Sequence, residues 1–124
     1  LEKREKHVTL FYEYPKCSTC RKAKAELNQL GLDVESINIK ENPPSAQFLK
    51  ELLVGSDLEL KKFFNTSGQS YRSLGLKDKL PTLSLDEAVE LLASDGMLIK
   101  RPILIKDGKV LQVGYRTPYQ NLNL

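Results

Sequence analysis

Two cysteines, Cys17 and Cys20, are the residues whose type and spacing are best suited to chemistry. They are the only cysteines in a chain of 124 residues, and two residues separate them. A thiol at the start of a helix is stabilised as the thiolate, because the first four backbone N–H groups lack partners within the helix and carry partial positive charge. A second thiol three residues further on can resolve a mixed disulfide formed on the first. The spacing therefore predicts redox chemistry, with Cys17 reactive and Cys20 resolving.

The charge around the two cysteines favours the same chemistry. Residues 14–25 include four basic side chains and no acidic one, which gives +4 locally, whereas the whole chain carries only +3. The four are Lys16, Arg21, Lys22 and Lys24. Such a field favours a thiolate and attracts anions, although a basic helix face can also be merely a solvated surface.

Other roles for the cysteines stay open on the residues alone. Cys17 could be an inert thiol. Cys20 shares a helical apolar stripe with Ala23, Leu27 and Leu30, so it could be an ordinary core residue. A zinc site needs about four ligands, and His7 is the one histidine in the sequence. No metal site is therefore expected.

The composition predicts one globular domain and excludes several classes of protein. The chain has 40% hydrophobic and 28% charged residues, which is ordinary for a folded domain. It has no apolar run near the ~18 residues of a membrane span and no signal-peptide pattern. Its mild positive charge does not argue for direct nucleic-acid binding. Two cysteines cannot form a disulfide-rich secreted scaffold, so a cytoplasmic protein is expected.

The elements that position the cysteines follow from local patterns. Residues 7–12 are rich in β-branched and aromatic types and predict a strand. Strong helix formers fill residues 21–30, and Gly31 can end that helix. Apolar residues then predict a second strand over residues 34–39. Residues 1–6 are mostly charged and are interpreted as a tag remnant or frayed end.

A block of helices is predicted next, over residues 43–94. One helix starts near Pro43 and ends at Gly55. A second covers residues 58–64, and a third covers residues 71–76. The fourth opens at residues 81–84, where Ser84 and Glu87 have the spacing of a capping box.

The chain then returns to strands. Residues 101–105 and 110–113 predict an antiparallel pair around Asp107-Gly108, which is a strong hairpin signal. A short helix can start at Thr117-Pro118. The predicted fold is α/β, a mixed sheet of about four strands, with residues 7–42 and 95–124 forming the core. Residues 43–94 form an inserted helical subdomain within one domain overall.

Four segments of this sequence resemble the ArsC/Spx family, which contains glutaredoxin-linked arsenate reductases and the redox-sensing transcription regulator Spx. The first is the run YPKCSTCRKA at residues 14–23. The others are residues 39–44, residues 64–76 and the segment DGMLIKRPI at residues 95–103. Together they span nearly all of residues 8–119. The resemblance implies a thioredoxin/glutaredoxin-like fold with an inserted helical subdomain.

The resemblance also implies a set of site residues. The Arg101-Pro102 bond would be cis, Pro102 would lie close to Cys17, and Arg101 would point at the thiolate or a bound oxyanion. The other readings are a surface or ion-paired Arg101 and a trans Pro102 at a strand start. The expected catalytic residues are Cys17, Cys20 and Arg101, and the expected substrate-binding residues are Lys16, Ser18, Thr19, Asn65, Arg101 and Pro102.

Some positions depart from the named members of the family. Arsenate reductases of this family resemble one another in carrying three arginines around the cysteine, and only Arg101 matches here. Asn65 and Gly114 stand at the other two positions, with Arg72 and Arg116 near them in sequence. Spx is expected to contact RNA polymerase through a glycine, and Glu59 stands at that position.

Three functional hypotheses follow. The main one is a thiol-dependent oxidoreductase acting on a small oxyanion or a thiol/disulfide substrate. It would bind no cofactor and would rely on an external thiol reductant, either glutathione/glutaredoxin or thioredoxin. The alternative is a redox-sensing regulator that binds the RNA polymerase α-subunit. The third is a member that keeps the fold and has lost the chemistry.

Overall fold

The computed structural model describes residues 9–122. The predicted tag remnant and the first two residues of the predicted first strand, His7 and Val8, lie outside the described residues. The chain divides into two compact units. The first unit is Leu1–Asn38 with Arg101–Leu124, and the second unit is Ile39–Lys100. No helix in the described part of the chain is long and apolar enough to cross a membrane.

The first unit contains a mixed four-stranded sheet, as predicted. Its strands are β1 (Thr9–Glu13), β2 (Glu35–Asn38), β3 (Ile103–Lys106) and β4 (Lys109–Val113). Their order is β2-β1-β3-β4. β1 pairs with β2 in parallel, whereas β1 with β3 and β3 with β4 are antiparallel. The parallel pair requires a crossover, and the helix that carries the cysteines supplies it.

The β3–β4 hairpin forms at the predicted Asp107-Gly108 pair. Both residues have positive φ, 53° and 80°. This is the requirement of a type I′ turn, whose twist matches that of the strands it joins.

Helix α1 (Ser18–Gln29) packs its apolar stripe into the core of the first unit. Cys20, Ala23 and Leu27 of the predicted apolar stripe are fully buried, whereas its fourth member, Leu30, is exposed because it is the C-cap at the end of the helix. Ala23 and Leu27 share a cluster with Phe11 and Tyr119. The helix that presents the cysteines is therefore anchored on the sheet by its own next two turns.

The second unit is largely helical, but two of the helices predicted for it are wrong: one is a 3-10 turn and the other is divided into two short helices. Its elements are α2 (Ala46–Val54), α3 (Gln69–Ser73), α4 (Leu76–Lys79) and α5 (Leu85–Ser94), with 3-10 turns at Leu60–Phe63, Leu80–Thr82 and Gly96–Leu98. The predicted helix over residues 58–64 is only the first of these turns. The one over residues 71–76 is divided between α3 and α4, because Gly75 takes a left-handed φ of 64°.

Serine caps begin the two longer helices of the second unit, α2 and α5. The Phe48 N–H donates to Ser45 Oγ at 3.1 Å, so Ser45 caps α2 and the preceding prolines lie outside the helix. The predicted capping box of Ser84 and Glu87 is present in α5.

Glu26 on α1 holds the C-terminal segment of the first unit. Its carboxylate accepts hydrogen bonds from the Tyr115 hydroxyl (2.6 Å), the Tyr119 N–H (2.6 Å) and the Gln120 N–H (3.0 Å). Tyr119 is fully buried, and its ring meets that of Tyr115 edge to face at 4.9 Å. One carboxylate therefore joins the last 3-10 turn, Tyr119–Asn121, to the helix that carries the cysteines.

We expect Glu26→Ala to lower the free energy of unfolding by about 2 kcal/mol, since it leaves the Tyr119 N–H without its acceptor. Burial raises the pKa of Glu26, but the Tyr115 hydroxyl and the two amides lower it more. The contribution of Glu26 to the free energy of unfolding should therefore be complete above the ordinary pKa of a glutamate. It should be lost as the pH falls through the lower pKa that Glu26 has in the folded protein. Urea unfolding at pH 7 and pH 3 checks this, with exposed Glu51→Ala expected to change stability by under about 0.5 kcal/mol. Equal losses in both variants would contradict it.

Candidate functional site

Cys17 is the N-cap of α1. It has extended backbone angles, with φ −88° and ψ 120°, and its Sγ accepts the Cys20 N–H at 3.4 Å. The Cys17 N–H in turn donates to the Tyr14 carbonyl at 2.9 Å, which folds the preceding loop back on itself. The sulfur thus occupies the position that a capping oxygen normally takes. Cys17 is half-buried, so it remains accessible to a substrate.

Arg101 supplies the positive charge of the site. Its peptide bond to Pro102 is cis, as the family resemblance implied. The guanidinium carbon lies 5.3 Å from the centre of the Tyr14 ring, in a cation–π arrangement. Its Nε and Nη1 atoms are buried and have no hydrogen-bond partner among the described residues. A buried donor without an acceptor is costly, so these two groups favour the binding of an anion.

The environment of Cys17 lowers its pKa below the ordinary thiol value. Burial by itself would raise it. The Cys20 N–H and the Cys20 thiol, which both donate to Cys17 Sγ, together with the charge and hydrogen bond of Arg101, outweigh burial. Each of these groups stabilises the thiolate rather than the thiol. Cys17 is therefore the more nucleophilic of the two sulfurs at neutral pH.

The environment of Cys20 has the opposite effect. Burial, together with the neighbouring Cys17 sulfur, raises the pKa of Cys20 to about 12, although the Tyr14 N–H at 3.5 Å from its Sγ acts in the other direction. Cys20 is fully buried. Both cysteines are free. The pair thus combines one accessible sulfur whose surroundings favour the thiolate with one buried thiol, an asymmetry suited to attack followed by resolution.

The other predicted residues of the first unit lie at or near this loop. Lys16, Ser18 and Thr19 are exposed at the end of the loop and in the first turn of α1. Pro102 is buried, and its carbonyl accepts the Gly114 N–H at 2.7 Å. This bond fixes the start of β3 against the end of β4.

Two of the four basic side chains around the cysteines have partners within the protein. Lys24 forms an ion pair with Glu13 at 3.0 Å, and Arg21 donates to the Pro15 carbonyl at 3.2 Å. Lys16 and Lys22 have no side-chain partner in the part of the chain that the structure describes. The free positive charge beside Cys17 is therefore smaller than the count of +4 suggests.

Arg72 and Arg116, which lie near the two positions where arsenate reductases of the family carry arginine, belong to different units. Arg116 is exposed in the first unit, and its backbone N–H donates to Gln112 Oε1 at 2.9 Å. Asn65 and Arg72 belong to the second unit, where the Asn65 side chain packs against Gly68. Within residues 9–122, no group of three or more His, Cys, Asp or Glu residues could hold a metal ion.

The sequence did not single out Tyr14 as a site residue. Its N–H donates to Cys20 Sγ, its carbonyl accepts from Cys17, and its ring faces Arg101. Its position was a usable signal, since Tyr14 is the first residue of the run that contains both cysteines. Only the folded loop shows that Tyr14 contacts Cys17, Cys20 and Arg101.

A Cys-x-x-Cys at the start of the first helix, a mixed four-stranded sheet and a cis-proline before β3 define a thioredoxin-like fold of the thiol-redox class. The chain belongs to the ArsC family, whose sequence pattern matches residues 12–120. It is 58% identical over 106 residues to the uncharacterised protein YusI of Bacillus subtilis, covering 86% of this chain and 89% of that protein.

Two further relatives represent the two named activities. The structure of a possible arsenate reductase from Streptococcus mutans UA159 is 67% identical with a TM-score of 0.90, covering 93% of this chain and 97% of that one. The global transcriptional regulator Spx of Lactiplantibacillus plantarum is 32% identical over 108 residues, covering 87% of this chain and 80% of the regulator.

Proposed function

We propose that this protein is a thiol-dependent oxidoreductase of the arsenate reductase-like type, with Cys17 as nucleophile and Cys20 as resolving thiol. The observation that carries the proposal is the arrangement around Cys17 Sγ, which accepts the Cys20 N–H at 3.4 Å beside the Arg101 guanidinium. The buried Nε and Nη1 of that guanidinium have no hydrogen-bond partner among residues 9–122. The same groups that stabilise a thiolate can stabilise the negative charge of an oxyanion or leaving group in the transition state.

With arsenate as substrate, the Cys17 thiolate attacks arsenic, and an oxygen leaves as water after taking up a proton. The Cys20 thiol then loses its proton and attacks Cys17 Sγ, which breaks the sulfur–arsenic bond. The bonding electron pair stays on arsenic, so As(V) becomes As(III) and the two thiols become one disulfide. Arg101 is the residue proposed to hold the oxyanion, with Lys16, Ser18, Thr19, Pro102 and Asn65 as further binding candidates.

A disulfide substrate follows the same two steps. Cys17 displaces one thiolate and forms a mixed disulfide, and Cys20 then displaces the second thiolate. In both cases the Cys17–Cys20 disulfide must be reduced by two external thiol equivalents, for which glutathione with glutaredoxin, or thioredoxin, is proposed. A pair that works in its reduced form suits the cytoplasm.

Steady-state turnover tests the proposal directly. The purified protein is mixed with NADPH-coupled glutaredoxin or thioredoxin and with arsenate or a glutathionylated peptide, and arsenite or free peptide is measured. We expect turnover of at least one substrate, dependent on the protein. Absence of turnover with every combination would contradict the proposal.

Arg101→Met should separate the role of charge from that of packing. Loss of the guanidinium should lower kcat/KM by about 10- to 100-fold, since oxyanion-directed donors contribute on this scale. It should also move the alkylation midpoint of Cys17 to higher pH, because Arg101 helps to lower that pKa. Exposed Arg116→Met is the matched control and should leave both quantities unchanged. An unshifted midpoint in Arg101→Met would contradict the role of Arg101.

A second candidate function is redox-controlled regulation of transcription. It is favoured by the 32% identity to Spx over most of the chain together with the two free cysteines. The proposed partner is the RNA polymerase α-subunit. Glu59, which replaces the expected glycine, is exposed before the Leu60–Phe63 turn. A pull-down with the α-subunit, oxidised against reduced, tests this candidate, and no binding in either state would exclude it.

A further inference from the structure

The second unit contains a cavity of about 500 Å³ with a strongly basic lining. Its walls are formed by Lys61, Thr66, Tyr71, Arg72, Gly75, Leu76 and Lys77. A neighbouring cavity of about 330 Å³ shares Lys61, Tyr71 and Lys77 and adds one acidic side chain, Glu59, and the apolar side chains of Leu60, Leu80, Pro81 and Leu83. Every lining residue belongs to the second unit, whereas Cys17 and Arg101 belong to the first.

Three separate elements bring the cations to this cavity. Lys61 lies on the Leu60–Phe63 turn, Arg72 on α3 and Lys77 on α4. Gly75 joins α3 to α4 with a φ of 64°, and this left-handed turn allows Arg72 and Lys77 to line the same space. Tyr71 is buried, and its ring lies 6.2 Å from that of Phe64 in an edge-to-face contact, so it forms a fixed wall.

The positive charge of the main cavity has no counter-charge in the described part of the chain. Of residues 9–122, no acidic one lines this cavity. None of the three cations has a carboxylate partner among residues 9–122. Like charges that converge on one space repel one another and oppose the compact state. An anion with several acceptor oxygens would relieve that repulsion, and the arginine fork suits phosphate in particular.

We propose that this cavity binds a small organic phosphate, with its phosphate oxygens on Lys61, Arg72 and Lys77 and its organic part against Tyr71 and the neighbouring leucines. The volume lies in the range of about 300–1,000 Å³ that is usual for small-molecule sites. Thr66 adds a hydroxyl donor at the rim. The ligand class is a nucleoside diphosphate or a compound of similar charge and size, and the site is independent of the thiol chemistry.

Calorimetric titration with ADP, pyrophosphate and adenosine tests the proposal, and amide NMR shifts locate the site. We expect ADP to bind, to shift the amides of Thr66, Tyr71 and Gly75, and to bind more tightly than pyrophosphate. Adenosine should not bind measurably. Lys61→Met with Lys77→Met should weaken ADP binding at least 10-fold. Lys62→Met with Lys79→Met removes the same charge from the same segments outside the lining, and should change binding less than 2-fold.

Four results would overturn the proposal. One is no ADP binding at millimolar concentration in low salt. Another is an equal loss of ADP affinity in the two double variants, which would show that binding depends only on the overall charge of the protein. The third is binding of a hexaglutamate peptide without binding of ADP, which would assign the cavity to an acidic protein segment. The fourth is binding of pyrophosphate as tight as that of ADP, which would leave the apolar wall without a role and would contradict an organic phosphate as the ligand.

Discussion

Cys17→Ser should lower turnover at least about 1,000-fold, because a serine hydroxyl ionises far less readily than a cysteine thiol and is the weaker nucleophile. Cys17 Sγ accepts the Cys20 N–H and lies beside the Arg101 guanidinium, and this environment lowers the pKa of the thiol. A hydroxyl at the same position would still cap α1, so the variant should fold normally. Turnover in the glutaredoxin- or thioredoxin-coupled assay is the measurement, and near-parental turnover would contradict the role of Cys17.

Cys20→Ser is the variant that separates attack from resolution. Cys17 should still attack, so one equivalent of a glutathionylated peptide should leave a stable mixed disulfide on Cys17, seen as a mass increase. The parent protein should instead lose two mass units as the Cys17–Cys20 disulfide forms. If Cys20→Ser turned over at the parental rate without a trapped adduct, an external thiol rather than Cys20 would perform the resolution.

Gly96→Ala should destabilise the second unit by more than about 3 kcal/mol or prevent its folding. Gly96 is buried at the start of the Gly96–Leu98 turn, which Asp95 caps by accepting the Met97 N–H at 2.9 Å. A Cβ at Gly96 would overlap the Ile39 carbonyl oxygen and would lie 2.7 Å from its carbon. Both obstacles are backbone atoms, so no side-chain rotation can remove the clash.

Urea unfolding followed by circular dichroism measures that loss, and limited proteolysis shows whether residues 39–100 open first. Gly55→Ala is the matched control. Gly55 also lies in the second unit, at a φ of −82°, and an added Cβ would lie 3.2 Å from its nearest neighbour, the Glu51 carbonyl oxygen. We expect a change within about 1 kcal/mol. A parental unfolding curve for Gly96→Ala would show that the backbone around Ile39 can move.

The features that could be predicted from the sequence are those that depend on interactions between residues close together in the chain. The cysteines were expected at a helix start, and the structure places Cys17 at the cap and Cys20 on the buried stripe. The Asp107-Gly108 turn and the Ser84–Glu87 box depend on residues within four positions of one another, and both are present. The sheet followed from the order of such elements.

The features that could not be predicted depend on contacts distant in sequence. Glu26 meets the Tyr119 N–H across 93 positions, and no local pattern signals that pair. Residues 58–64 were predicted to form a helix because Asp57 can cap its start and residues 65–68 can end it. Phe63 and Phe64 are both buried and Phe64 pairs with Ile99, so tertiary packing selects a 3-10 turn instead. The basic cavity likewise requires the fold to bring Lys61 close to α4.

In the candidate site, too, some features were predicted from the sequence and others are visible only in the structure. The family resemblance implied that Arg101 would face the thiolate, and the structure adds why such an arrangement is useful. Tyr14 fixes the guanidinium through its ring and supplies an N–H to Cys20. The buried Nε and Nη1 of Arg101 find no acceptor within the part of the chain that the structure describes. The sequence identifies these residue types, whereas the unmet hydrogen-bonding capacity is visible only in the folded site.

The pH dependence of cysteine alkylation tests the central claim most directly. The reduced protein is treated with iodoacetamide from pH 4 to pH 10, and mass spectrometry of peptides quantifies each cysteine separately. We predict that Cys17 reacts with a midpoint clearly below the ordinary thiol value of about 8.5. Cys20 should stay unmodified throughout, since burial and the Cys17 sulfur raise its pKa to about 12. Similar midpoints near 8.5 for both cysteines would contradict the account.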